Sequence, residues 1–163
     1  MDGSFYFTGG EAGEARIAWS NNVGTAAYSE VGPGFANFAG HLHLFWRERN
    51  AIQVMVRFPG QEWTNTAYEI PGSTRVGNSG RPAAAANGNY MMVAYLGNAD
   101  ASGYRPIWRH RYFGGTGSWE MPQVDANGWT TNRSVTLAAV SVVFEMLMIA
   151  HNRVIHEKVA WRT

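Results

Sequence analysis

Cysteine is absent from the 163-residue chain, which excludes disulfides, thiolate metal ligands and a cysteine nucleophile and leaves packing as the source of stability. Charge is scarce too. Asp, Glu, Lys and Arg make up 15% of the residues, and 13 Lys and Arg against 12 Asp and Glu give a net charge of +1. So balanced a chain exerts no strong pull on nucleic acid or an anionic membrane, and no nucleic-acid partner is expected. Long apolar runs are also missing: the longest, Thr136 to Ala150, is interrupted by Glu145 and falls short of the ~20 residues that cross a bilayer as a helix. No membrane insertion is expected. Met1-Asp2-Gly3-Ser4 lacks the basic start and apolar stretch of a secretory signal, and a cysteine-free chain suits either redox compartment, so localisation stays open. There is no Gly-x-Ser-x-Gly elbow, phosphate loop or His-Glu-x-x-His, so nucleophilic, nucleotide-driven and zinc-protease chemistry finds no support.

What the chain does have is turn chemistry and aromatic mass. It carries 19 glycines and six prolines, many in Asn-Gly, Gly-Gly and Pro-Gly pairs, the punctuation of an all-β fold. With 45% apolar and 13% aromatic residues it can build one core, and residues 1–163 read as a single domain.

The segment Gly34 to Trp46 matches Pro82 to Ala94 at an offset of 48 residues, and a third copy starts at Thr136-Leu137-Ala138-Ala139-Val140-Ser141. Each copy reads as an apolar strand, a tight turn (Ala39-Gly40, Asn87-Gly88, no turn signal in the third) and a second strand of bulky residues. A third strand follows in each, at Ile52–Phe58, Ile107–Phe113 and Ile155–Trp161. Trp63 and Trp119 then open a fourth strand in the first two copies, and Ala15–Trp19 offers the fourth strand that the third copy lacks. The repeats span residues 33–79, 80–133 and 134–163, with 1–32 completing the last one, in this chain or in a partner. A helix over Leu137–Ala150 is the competing reading of the longest apolar stretch. The β-branched residues Val135, Thr136, Val140, Val142 and Val143 favour strands.

A period near 50 residues with four short strands has the size of a β-propeller blade, and propellers close with about 4 to 8 blades. Three blades per chain predict a six-bladed ring closed by a homodimer, two-fold symmetry being the commonest. A β-sandwich has the right size but does not explain the period.

The segment from Ile70 through Pro82-Ala83-Ala84-Ala85-Ala86, Asn87-Gly88 and Tyr90-Met91-Met92-Val93-Ala94-Tyr95 resembles the repeat of bacterial and fungal lectin-like β-propellers. That repeat runs from a Trp strand through a Ser/Thr-rich linker to Pro-aliphatic-Ala, an Asn-Gly turn and an aromatic strand. The middle copy keeps all of it, the first has Gly34 in place of Pro, and the third lacks both Pro and Asn-Gly. The resemblance implies a noncatalytic carbohydrate-binding protein with shallow pockets between neighbouring blades. The alternatives are an enzyme in the axial cavity of a dimeric propeller, an interaction scaffold and a toxin component.

A sugar site needs a flat aromatic face with amide, guanidinium or carboxylate groups around it. Trp46-Arg47-Glu48-Arg49 offers this combination at a strand end, and Tyr95 with Asn98 and His151 with Arg153 occupy the corresponding places in the other copies. Trp108 and Trp129 join the candidates because they have no equivalents, whereas Trp19, Trp63 and Trp119 recur and read as packing residues. His41 and His43 share one face of a strand but have no third ligand at a metal spacing. Asp100 and Asp125 match no calcium loop, so neither metal nor cofactor is expected.

Overall fold

The computed structural model describes residues 7–9, 15–17, 32–64, 66–74, 76–77, 81–124, 128–132, 134–140, 143–150 and 153–159. At 7–9, 15–17, 140, 143–150 and 153–159 the description is of the backbone. The described residues are all-β, with no helix among them, and therefore no helix long and apolar enough to cross a membrane. The apolar stretch that also suited a helix forms two strands, β13 (Val135–Val140) and β14 (Val143–Ala150).

Near the start, β1 (Phe7–Gly9) pairs with β2 (Ala15–Ile17). The first large sheet orders β3 (Gly34–Phe38), β4 (His41–Glu48), β5 (Ala51–Arg57) and β6 (Tyr68–Glu69) side by side. The second has β7 (Ala83–Asn87), β8 (Tyr90–Leu96) and β9 (Arg105–Phe113). Along the outer edge of β9 lie three two-residue strands, β10 (Ser118–Trp119), β11 (Gln123–Val124) and β12 (Thr130–Thr131). The third sheet orders β13, β14 and β15 (Arg153–Val159). Among the described residues all pairings are antiparallel, and no sheet closes into a barrel. The N-terminal strand β2, expected as a fourth strand for the third repeat, pairs with β1.

Register shows which positions repeat. Leu42 faces Arg57 in the first sheet and Met91 faces Tyr112 in the second, and the tryptophans beyond pair with those same partners, Trp63 with Arg57 and Trp119 with Tyr112. The two turns differ by one residue from the sequence alignment. Ala39–Gly40 joins β3 to β4 with φ of 51° and 79°, both in the left-handed region that a type I′ turn requires. The second turn is Gly88–Asn89, with Gly88 at 53° and Asn87 still paired to Tyr90. Glycine has taken the first turn position, where a positive φ carries no Cβ penalty.

Strand alternation gives each sheet two faces, and both faces of the second sheet are used. One packs on the first sheet: Ala36, Phe38, Phe45, Ile52 and Val54 meet Met91, Val93 and Tyr95 in one cluster. The other packs on the third: Ala85, Met92, Ala94, Leu96 and Ile107 meet Val135 and Leu137. The leading strands run side by side, β3 against β7 and β7 against β13. Gly34 permits this approach, since a Cβ there would lie 2.6 Å from the Pro82 carbonyl oxygen. The far face of the first sheet carries a separate buried cluster of Leu44, Trp46, Met55 and Trp63.

Candidate functional site

Strand alternation separates the first candidate cluster. Trp46 is buried at 3% exposure among Leu44, Met55 and Trp63, while Arg47 points to the opposite face, where its Nε donates to the Arg49 carbonyl at 2.8 Å. Glu48 and Arg49 are exposed at the β4–β5 turn, with Arg49 at φ 54°. Register makes Tyr95 the equivalent of Trp46: Leu44 and Val93 precede them on matching strands, and Gln53 and Trp108 face them. Tyr95 is fully buried, so the ring that recurs between the first two repeats is a buried packing residue in both. Trp108 is half-buried against the first cluster and Trp129 half-buried against the second. Asn98 is exposed in the loop after β8. His151 lies outside the described residues, and Arg153 opens β15 opposite Ala150. The described side chains among these candidates therefore do not converge on one surface.

A cleft of about 330 Å³ does open between the first and second sheets, at the end where β3 and β7 turn back. Phe38, His41 and His43 line it from the first sheet, and Asn89, Tyr112 and Gly114 from the second. The rings hold one another edge-on: Phe38 meets Tyr112 at 5.6 Å and 86°, and His43 at 6.1 Å and 68°. His41 meets the exposed Phe58 at 4.6 Å. Such edge-to-face pairs add about 0.5–1.5 kcal/mol each beyond burial. Gly114 sits so close to Phe38 that a Cβ would lie 2.8 Å from the ring, and its N–H donates to the Asn89 carbonyl at 2.8 Å.

Below the cleft the interface stays aromatic and becomes titratable. Nδ1–H of His43 donates to the His41 carbonyl at 3.1 Å, and its ring stacks on Phe45. Deeper still, His110 Nε2 and the Tyr95 hydroxyl are hydrogen-bonded at 2.8 Å, with Trp119 against the His110 ring. Burial lowers the pKa of both histidines: His43 lies below its usual 6.5, with the His41 backbone contact opposing, and His110 is driven to about 4, with the Glu120 backbone opposing. Both are neutral at physiological pH.

Among the described residues the cleft lining contains no Asp or Glu, whereas glycoside hydrolysis generally needs two carboxylates across the bond. No group of three metal-ligating side chains occurs among the described residues. Asp100 is occupied as a turn cap, its Oδ1 accepting from the N–H of Ser102 at 2.8 Å and of Tyr104 at 2.9 Å. Sequence reasoning found His41 and His43 on one face but missed Asn89 and Tyr112, which come from the next repeat and meet the histidines through sheet stacking alone. Comparison with protein-family models, curated proteins and solved structures finds no match for this chain.

Proposed function

We propose that the chain is a noncatalytic carbohydrate-binding module, its three sheets being consecutive propeller blades that two copies complete as a six-bladed ring. The observation that carries the reading is the cleft between neighbouring sheets, lined by the Phe38 and Tyr112 rings, two imidazoles and the Asn89 amide, with no carboxylate among the described residues. Aromatic faces suit the C–H side of a sugar ring, and amide and imidazole groups suit its hydroxyls. The sheet order supports the ring: leading strands lie against leading strands, and Trp63 and Trp119 hold equivalent registers. Shallow sites repeated around a ring would bind multivalent glycans through avidity.

A glycan array with the wild-type protein should give saturable signal, and Tyr112→Ala should reduce it at least tenfold while the chain stays folded. Light scattering should give a mass near 36 kDa, twice the 18.0 kDa of one chain. An array without signal would end the glycan reading, and a stable monomer would end the six-bladed ring.

A further inference from the structure

We infer that a second pocket, where the first ends of β3, β7 and β13 meet, binds a small carboxylate through Arg81. Its volume is about 340 Å³, within the ~300–1,000 Å³ range of small-molecule sites. It lies at the opposite ends of β3 and β7 from the aromatic cleft, and the inference does not rest on the glycan reading. Phe35, Pro82 and Val135 give it apolar walls, and Arg81, Ser134 and Thr136 supply the polar groups.

Three observations select an anion. First, no Asp or Glu is among the described residues of the lining, where Arg81 carries the charge. Second, Arg81 is exposed and joins none of the ion pairs or hydrogen bonds among the described residues. A guanidinium presents a planar fork that matches a carboxylate with two parallel hydrogen bonds. Third, Ser134 and Thr136 are two apart on the chain and both exposed, while Val135 between them is buried. Alternation therefore turns both hydroxyls to the side away from the packed face, where they can serve the hydroxyls of an acidic sugar or hydroxy acid. Phe35, 39% exposed, offers the apolar wall such a ligand's carbon face needs. The ligand class is a monocarboxylate with a polyhydroxylated body of monosaccharide size.

The test is titration of the full chain with D-glucuronate, followed by calorimetry and by the amide shifts of Ala83, Ala84 and Thr136. D-Glucose serves as the neutral control and inorganic phosphate as the other anion. Glucuronate should bind saturably and at least tenfold more tightly than glucose, a difference of about 1.4 kcal/mol. Arg81→Gln should remove that preference without changing the melting curve, Arg81→Lys should restore part of it, and Tyr112→Ala should leave it intact. Absence of saturable binding, equal affinity for glucose, or indifference to Arg81→Gln would overturn the site. Tighter binding of phosphate than of glucuronate would overturn its assignment to carboxylates.

Discussion

The two sheet interfaces are built from different materials. Between the first and second sheets lie Phe38, His43, Phe45, Tyr95, His110 and Trp119, rings that meet edge-on or stacked and include two neutral histidines. Between the second and third lie Ala85, Met92, Ala94, Leu96, Ile107, Val135 and Leu137, small or flexible, with Tyr90 and Trp129 half-buried against them. Aliphatic side chains interdigitate and leave little to open. Rings with fixed planes keep gaps at their rim, and the aromatic cleft is such a gap. The aromatic cleft and a sensitivity to acid thus arise at the same interface.

The comparison breaks most visibly by truncation. Phe45→Ala, at a fully buried position of the aromatic interface, should cost about 3–5 kcal/mol, and Leu137→Ala, 8% exposed at the aliphatic one, about 2–3 kcal/mol. Urea denaturation measures both, and a larger loss for Leu137→Ala would reverse the ranking. Acid comes next. Above pH 6.5 both histidines are neutral in folded and unfolded chains, so their burial has no pH-dependent cost. Below 6.5 the unfolded chain binds protons that the folded interface refuses, and stability falls until His110 itself protonates near pH 4. The loss is at most about 1.4 kcal/mol per pH unit for each histidine. His43→Gln with His110→Gln should flatten this slope, and amide exchange should show β4 and β9 loosening before β13. An unchanged slope in the double variant would remove the histidines from the account.

Smaller effects sharpen the same contrast. Gly114→Ala should push Phe38 aside, costing about 1 kcal/mol and weakening any ligand of the cleft, as read by thermal melting and by titration. Smallest is Glu120→Gln. The Arg111–Glu120 pair is part-exposed, with side chains 21% and 37% accessible, and its loss should cost under about 1 kcal/mol. A cost above 2 kcal/mol would mean that the pair braces the aromatic interface.

The all-β class and many strand positions were legible because turn residues and alternation are local signals. The 48-residue offset missed the turn position by one, since Asn87-Gly88 carries the familiar hairpin signature while the backbone turns at Gly88–Asn89. The aromatic candidates failed to converge for a different reason. Trp46 and Arg47 are neighbours in sequence, yet a strand sends neighbours to opposite faces. The cleft was illegible because Tyr112 reaches Phe38 through the packing of two sheets, which no spacing along the chain encodes. Glu145, the acid within an apolar strand, stands opposite Lys158, an opposite-charge register that only the pairing of β14 with β15 reveals.

The outer edge of the second sheet, three two-residue strands along β9, bears on whether a foreign strand can add to it. A long uninterrupted edge offers a row of free amides to any passing strand and invites fibrils. Here that row is cut at Met121-Pro122 and again before Thr130, and proline supplies no amide hydrogen at all. Such a serrated margin is a poor template for strand addition. Growth by adding strands at this edge is discouraged.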